Sequence, residues 1–371
     1  PLFASKAFCC KEIYRIARDE GMGIDCVSGG ELYTAKAAGF PAEKIYFHGN
    51  NKTDADIRQA IDMGVGTFVV DNEDELLALN AEAERRGIRQ RILLRITPGI
   101  DPHTHQKIIT GNFDSKFGNA IVTGQAMHIV KRALSLGHVN VAGLHCHIGS
   151  QIFTIDPFTD AASIMIRFLA DVRRETGVTL PELNLGGGLG VRYTEYDPEI
   201  DYRAAIADMA AVMRRYADEE GMKLPHIVLE PGRSIVASAA ITLYTVGSVK
   251  EIPGFRNYVS VDGGMPDNPR YALYQSQYTA VVANRAAEAR NYRATVAGRC
   301  CESGDLLGEN MELQTPVRGD ILAFLVTGAY NYAMASNYNR IPRPPVVFVK
   351  DGDARLVIRR ESFEDLLRNE V

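Results

Sequence analysis

The chain has 371 residues, which is too long for one small domain and suits a large barrel with a second domain attached. Its 41 basic and 46 acidic side chains give a formal charge of -5 without a long run of either sign, so we expect a small-molecule ligand and neither nucleic acid nor membrane as a partner. The six cysteines are too irregularly spaced for a disulfide scaffold or a zinc site, which indicates reduced thiols in a cytoplasmic protein.

Short apolar runs rich in β-branched and aromatic residues recur along the first two thirds of the chain, with polar turns and helical patterns between them. The predicted strands are Leu2 to Ser5, Ile24 to Val27, Ile45 to His48, Thr67 to Val70, Ile92 to Ile96, Val141 to His147, Leu183 to Leu185 and Ile227 to Glu230. Helical spacing is clear over 54–63, 73–86 and 204–219. This alternation predicts an α/β fold with a parallel (β/α)8 barrel over residues 1–233.

After Glu230 the pattern changes to strands without long helices, which predicts a second, mostly antiparallel β domain over residues 234–371. Its predicted strands are Ile235 to Lys250, Tyr258 to Asp262, Tyr292 to Val296, Ile321 to Thr327 and the hairpin Val346 to Ile358. Because the first residues already form a strand pattern, we also expect a natural segment ahead of Pro1.

Reactive groups of such barrels lie where the strands end, because the loops there form one rim around the mouth. Lys6 follows the first predicted strand, and a lysine in that place can bind an aldehyde cofactor covalently, although an isolated one is more often an ordinary surface lysine. Glu230 changes that balance, since a carboxylate on another strand end can pair with a protonated pyridine nitrogen. His147 could stack on the ring, or be a packed histidine.

Glycines cluster at the end of the seventh predicted strand, at Gly186, Gly187 and Gly188. Such a run lets backbone N–H groups approach a phosphate, but on its own it equally fits a tight turn. Gly232 and the N–H of Arg233 follow the neighbouring strand and could join the same anion site, to which Ser150 could add a hydroxyl. These strands are also where many barrels of this kind bind phosphate.

Three motifs together resemble the fold-type III decarboxylases that use pyridoxal 5'-phosphate (PLP). They are Phe3-Ala4-Ser5-Lys6-Ala7, His145-Cys146-His147-Ile148-Gly149-Ser150-Gln151 and Glu230-Pro231-Gly232-Arg233. The resemblance covers nearly the whole chain. It implies PLP as cofactor, bound covalently by Lys6, with His147 on the ring face and Glu230 at the pyridine nitrogen.

Within that family the likeness is to members that convert meso-diaminopimelate to L-lysine and carbon dioxide. It rests on Cys301-Glu302-Ser303-Gly304-Asp305, on Gly328-Ala329-Tyr330 and on the run Met334 to Asn339. The resemblance implies a homodimer in which Cys301 and Glu302 complete the active site of the partner subunit. Cys301 would assist protonation, Glu302 would bind the distal ammonium of the substrate, and Tyr330 would contact cofactor or substrate.

The same resemblance places Arg233, Arg270 and Tyr274 at the distal carboxylate of the substrate. Chemistry favours this transfer, because meso-diaminopimelate carries an amino acid group at each end and a selective enzyme needs cationic donors away from the reacting carbon. Ornithine has no distal carboxylate and would leave these arginines unpaired. Arg270 alone would be interpreted as a surface ion pair.

Three alternatives stay open at the level of the sequence. The first is another enzyme of the same fold: an ornithine or arginine decarboxylase, or a racemase, which would need a second base opposite Lys6. The second is a catalytically inactive relative that binds a partner protein, which the presence of Lys6, Glu230 and Cys301 disfavours. The third is a metal-dependent hydrolase built on the two His-x-His pairs at 103–105 and 145–147, His103, His105, His145 and His147.

Overall fold

A computed structural model describes residues 1–100 and 114–371 of the chain. The chain divides into two units, one of residues 1–191 and 199–232, the other of residues 192–198 and 233–371. Within the described ranges, no helix is both long enough and apolar enough to cross a bilayer.

The first unit is a parallel barrel. Its strands are Leu2–Ala4 (β1), Gly23–Cys26 (β2), Ile45–Phe47 (β3), Thr67–Val70 (β4), Gln90–Thr97 (β5), Asn119–Ala120 (β6), Val139–His145 (β7), Glu182–Asn184 (β8) and His226–Val228 (β9). They pair in the order β1-β2-β3-β4-β5-β7-β8-β9, with β6 attached to β5 alone. The N–H of Leu2 donates to the carbonyl of Leu229 at 2.8 Å and that of Ala4 to Pro231 at 3.0 Å, which closes the sheet.

The helices of this unit follow their strands as a barrel requires. They are Lys11–Asp19 (α1), Gly29–Ala37 (α2), Asp54–Asp62 (α3), Glu73–Arg85 (α4), Gln125–Leu134 (α5), Asp156–Thr176 (α6) and Tyr202–Glu219 (α7). Side-chain oxygens cap several of their first turns, as Ser28 does for α2 and Thr53 for α3. The predicted barrel is therefore confirmed.

The barrel interior changes from apolar to polar toward the carboxyl ends of the strands. Val69 and Leu93 belong to a buried apolar cluster. Residues two apart on a strand point to the same face, so Asp71 and Arg95 form the next layer above them. We call the polar layer the buried side chains that seven strand ends contribute: Asp25, His48, Asp71, Arg95, His145, Asn184 and Glu230.

The second unit is built on a six-stranded sheet, counted over the described residues, in the order β12-β15-β10-β11-β13-β14. Its elements are Arg233–Val236 (α8), Thr242–Ile252 (β10), Arg256–Val261 (β11), Arg270–Tyr274 (α9), Ala280–Val282 (β12), Tyr292–Ala297 (β13), Leu306–Leu313 (β14), Ile321–Phe324 (β15), the hairpin Val346–Lys350 (β16) and Asp353–Ile358 (β17), and Phe363–Leu367 (α10). Only the β11–β13 pair within this sheet is parallel, so the prediction of a mostly antiparallel sheet is confirmed.

Three details of the sequence prediction were wrong. The strand predicted from Ile235 begins only at Thr242, because residues 233–236 are helical and residues 237–239 form a 3₁₀ turn. The strand preference of the β-branched residues in this segment does not decide its local structure. The strand predicted to reach His147 ends at His145. The strand predicted to reach Ser5 ends at Ala4, and Ser5–Ala7 form the 3₁₀ turn that carries Lys6.

Candidate active site

Lys6 stands on a short turn at the mouth of the barrel. Its side chain is exposed, whereas Ser5 and Ala7 on either side are buried and fix the turn. The N–H of Ser5 donates to Asp25 Oδ1 at 3.0 Å, which ties the turn to the end of β2. Lys6 is thus the cation that borders the polar layer from the first strand.

Glu230 is the most heavily contacted carboxylate of the polar layer. Asn184 Nδ2 donates to its Oε1 at 2.7 Å, His145 Nε2 lies 3.1 Å from Oε2, and His48 Nε2 lies 2.8 Å from Oε1. The His48 contact has the distance of an ion pair without the alignment of a hydrogen bond, since His48 Nε2 makes no directed bond among the described residues. Burial alone would raise the pKa of Glu230, but the two histidines outweigh it and hold that pKa well below its usual range.

His147 lies just past β7, against the glycine run. Its Nδ1 accepts the N–H of Gly187 at 3.3 Å, and a Cβ added to Gly186 would meet that same atom at 2.8 Å. Burial, then the charges of Lys6 and Arg95, hold the pKa of His147 well below its usual value, so the ring is neutral. A neutral imidazole with its orientation fixed is suited to lie against a planar ligand.

The glycines permit a close approach of neighbouring backbones. A Cβ on Gly187 would stand 2.1 Å from the carbonyl oxygen of Glu230, and one on Gly232 would stand 2.7 Å from the Cβ of Ala4. Gly188 has φ +116° and faces the carbonyl of Gly149. These contacts bring the lysine turn, the histidine, the glycine run and Glu230 into one continuous cluster.

The N–H groups of that run are used unequally. Gly186 donates to Asn184 Oδ1 at 2.8 Å and Gly187 donates to His147, so neither is directed to a ligand. Among the described residues, the N–H groups of Gly188 and Gly232 make no backbone hydrogen bond. We therefore interpret the N–H groups of Gly188 and Gly232, and not those of Gly186 and Gly187, as the ones available to a phosphate.

The second unit holds a separate cluster of arginines and aromatic rings. Arg233 Nη1 donates to Tyr193 Oη at 2.6 Å, and its guanidinium lies 4.6 Å from the ring centroid of Tyr330. Arg270 Nη1 donates to Tyr278 Oη at 2.7 Å and its guanidinium lies 4.7 Å from the ring centroid of Tyr193. Arg270 is only 5 % exposed, yet within the described residues no carboxylate pairs with it. A buried cation of this kind favours an anionic ligand.

Cys301 and Glu302 lie on an exposed turn of the second unit. The N–H of Cys301 donates to Asn339 Oδ1, and Glu302 Oε1 accepts from Gly304. The turn is anchored by the buried Asp305, whose carboxylate accepts the N–H of Cys300 at 2.7 Å and a second N–H from Met265 at 2.6 Å. Among the described residues, no hydrogen bond or ion pair joins Cys301 or Glu302 to the arginine cluster.

The remaining predicted residues are Ser150, Tyr274 and Tyr330. Ser150 and Tyr274 are half-buried, Tyr274 as the last residue of α9. Tyr330 has a positive φ of 61°, an uncommon backbone conformation that a non-glycine residue adopts only when its surroundings impose it.

The described pair of the metal hypothesis, His145 and His147, lacks the geometry of a shared metal site. His145 is bonded to Glu230 and His147 to Gly187, so the pair does not converge on one point. His103 and His105 lie outside the described residues. His48, His145 and Glu230 do lie within 4.8 Å of one another, but Asn184 already donates to this carboxylate and Arg95 adds a nearby positive charge.

Comparison with known proteins decides the family. Residues 1–237 match the family described as "Pyridoxal-dependent decarboxylase, pyridoxal binding domain". The diaminopimelate decarboxylase of Halalkalibacterium halodurans is 50% identical over 366 residues, which are 99% of this chain and 83% of that protein. The chain belongs to the diaminopimelate decarboxylase family. It is therefore an enzyme, a carboxy-lyase.

Other members of the diaminopimelate decarboxylase family agree in sequence and in fold. The enzyme of Bacillus subtilis is 48% identical over the same share of both chains, 99% and 83%. The crystal structure of diaminopimelate decarboxylase from M. jannaschii in complex with L-lysine superposes with a TM-score of 0.91 at 37% identity, covering 100% of this chain and 84% of that one.

Sequence reasoning missed Tyr193 and five members of the polar layer, namely Asp25, His48, Asp71, Arg95 and Asn184. His48 and Asp71 directly follow their strands, Asn184 ends its strand, and Asp25 and Arg95 lie within theirs. Each is a polar residue beside apolar residues of a strand that was recognised. That signal was present but weak for any single strand. Tyr193 gave no signal, because it lies in a loop and acquires its role only when 192–198 joins the second unit.

Asp25 supplies a prediction about stability. Burial and the repulsion of Glu230 raise its pKa from 3.8 to about 6, against the opposing charges of His48 and Lys6. Between those values the folded protein keeps a proton that the unfolded chain releases, so this group stabilises the fold at low pH and the contribution is lost as pH rises. Asp25→Asn keeps the oxygen that accepts from Ser5 but has no proton to lose. As the pH rises from 4 to 6, the unfolding free energy of Asp25→Asn is expected to increase relative to that of the wild type by at most about 3 kcal/mol.

The measurement is urea unfolding of the cofactor-free protein and of Asp25→Asn at pH 4.5 and pH 7. A difference in unfolding free energy that is the same at both pH values would contradict the raised pKa. Asp19→Asn, on the exposed end of α1, is the matched control and should show no such change with pH.

Proposed function

We propose that this chain removes carbon dioxide from the D-configured end of meso-2,6-diaminopimelate and releases L-lysine, the last step of lysine biosynthesis by that route. The observation that carries the choice of substrate is Arg270, a buried guanidinium without a carboxylate partner among the described residues. A substrate with a second carboxylate would supply the missing charge. The six free thiols suit a reducing compartment, and we place the reaction in the cytoplasm.

We further propose PLP as the cofactor, because the donors of the barrel mouth suit each of its groups. Glu230 would hold the pyridine nitrogen, His147 the ring face, Lys6 the aldehyde carbon, and the N–H groups of Gly188 and Gly232 the phosphate. Ser150 and Arg233 are the further cofactor contacts that we propose. When bound, PLP supplies an electron sink for the carbon that loses carbon dioxide. Gly186 and Gly187 support that cradle through Asn184 and His147.

The substrate contacts follow from charge. Arg233 and Arg270 would bind the distal carboxylate, and Tyr193 and Tyr278 hold both guanidinium groups in place for it. Tyr274 and Tyr330 would contact the substrate near them, and Glu302 would bind the distal ammonium. Such paired recognition of both distal groups explains selectivity against amino acids that lack one of them.

We propose a homodimer in which Cys301 and Glu302 act in the site of the partner subunit. Support comes from their exposed turn, which Asp305 fixes in shape. Within the described part of the chain, no hydrogen bond or ion pair joins either side chain to the arginine cluster of its own subunit. Cys301 would supply or guide the proton that replaces the lost carboxylate.

Mixing of two inactive variants tests the shared site. Lys6→Ala and Cys301→Ala homodimers are each expected to be inactive, and re-association of an equal mixture should restore about a quarter of the wild-type sites, because half of the dimers then carry one intact site. Activity is measured as carbon dioxide release after mild dissociation and dilution. No recovery, with mixed dimers shown by mass spectrometry, would place both residues in one subunit's site.

The substrate proposal is tested with purified protein and added PLP. Carbon dioxide should be released from meso-diaminopimelate and not from ornithine or arginine. Release from ornithine instead would retain the decarboxylase and discard the substrate, whereas racemised substrate without gas would indicate the racemase alternative. Absence of any reaction together with a binding partner would favour the inactive relative.

A further inference from the structure

Three buried side chains, Asn184, His48 and His145, contact the carboxylate of Glu230. Asn184 reaches Oε1 at 2.7 Å, His48 approaches the same oxygen at 2.8 Å, and His145 reaches Oε2 at 3.1 Å. The carboxylate cannot rotate without breaking at least one of these contacts. Its direction is therefore set by its neighbours and not by its own backbone alone.

The two histidines are themselves fixed. Their rings meet edge to face, with centroids 4.8 Å apart and an interplanar angle of 72°. The backbone N–H of His48 donates to Cys26 at 2.8 Å, and both rings are nearly inaccessible to water. A cluster this closely packed holds its members to a single arrangement.

The protonation of His145 follows from its surroundings. Burial, against the attraction of Glu230, lowers the pKa of His145 to about 4, so the ring is neutral near pH 7. Its Nδ1 has no hydrogen-bond partner among the described residues. A neutral ring that faces a carboxylate through Nε2 must carry its proton there, which leaves Nδ1 as a bare lone pair. His145 is then a donor that adds no charge to the site.

We propose that His145 and His48 are positioning residues, which keep the Glu230 carboxylate ionised and aimed so that the pyridine nitrogen of the cofactor stays protonated. This inference rests on the proposed role of Glu230. The histidines touch neither substrate nor cofactor and act only through that carboxylate. Replacing His145 should weaken cofactor binding and the protonation of the ring together.

The experiment uses holoenzyme reconstituted with PLP labelled with ¹⁵N in the ring. The nitrogen chemical shift reports whether the ring is protonated, and a fluorescence titration of the apoprotein gives the PLP dissociation constant. His145→Leu is expected to move the shift toward the unprotonated value and to weaken binding roughly 10- to 100-fold, the loss of a hydrogen bond to a charged group. His145→Gln, whose amide reaches the position of Nε2, should restore most of both, whereas His145→Asn, which is shorter, should not.

Two further variants separate the possible failures. Glu230→Gln is the benchmark: an unchanged nitrogen shift there would overturn the role proposed for Glu230 itself. A shift altered in Glu230→Gln but unchanged in His145→Leu and His145→Asn would overturn the positioning role alone. His128→Leu, on an exposed face of α5, should change neither reading. If His145→Leu does not fold, the comparison of His145→Gln with His145→Asn decides the question.

Discussion

Lys6→Ala is expected to abolish covalent capture of PLP and to lower carbon dioxide release from meso-diaminopimelate at least ~10³-fold, the order of loss that follows removal of a nucleophile. The turn around Lys6 is held by buried neighbours, so the loss of an exposed side chain should leave the fold intact. An absorbance spectrum of the purified variant with PLP, beside the wild type, measures the capture. The rate of gas release measures the chemistry.

Lys6→Arg separates the amine from its charge. The guanidinium keeps a positive charge near Asp25 and His147, whose pKa values respond to Lys6 after the larger effect of burial. It cannot form the same covalent bond under ordinary conditions. Both Lys6 variants should therefore be equally inactive, while Lys11→Ala on the exposed start of α1 should match the wild type. Full activity in Lys6→Arg would mean that charge alone is needed.

The barrel could be predicted because each strand has a recognisable local sequence pattern. An apolar run of three to eight residues, a turn and an amphipathic helix can be recognised one unit at a time, and their alternation admits few folds. Glu230 and Lys6 could be selected for the same reason, since a charged residue directly after an apolar run is visible in the sequence. The family motifs then added roles that the pattern alone does not contain.

The polar layer as a whole could not be predicted, because its members meet only once the sheet has closed. Asp25 sits inside a four-residue strand and, considered alone, is one acidic residue in an apolar run. That it shares a cluster with His48, Glu230 and Lys6 depends on strands far apart in sequence meeting across the barrel. At Ile235 the sequence predicted too much regular strand. A β-branched residue there favoured a strand, whereas residues 233–236 form a short helix.

Arg270→Met is expected to lower kcat/KM for meso-diaminopimelate roughly 30-fold to several thousand-fold. This corresponds to a loss of about 2–5 kcal/mol in transition-state binding, the range for removing one partner of a buried charge pair. Methionine occupies a similar volume without the charge, so packing against Tyr193 and Tyr278 is largely kept. The kcat/KM of Arg270→Lys should lie between those of the wild type and Arg270→Met, because a lysine keeps the charge and loses the paired donors. Steady-state kinetics of carbon dioxide release gives the values.

D-lysine is the control that isolates the distal carboxylate in this prediction. It offers the same D-configured amino acid end and a distal ammonium, but the carboxylate that Arg270 would bind is missing. Because the lost interaction is absent from this ligand, Arg270→Met should change the rate with D-lysine, or its inhibition constant where turnover is too slow, by less than about threefold. Equal losses with D-lysine and meso-diaminopimelate would instead mean that Arg270 acts by holding Tyr193, Ser276 and Tyr278 in place, and the buried guanidinium would then be a structural group and not the selector of the substrate.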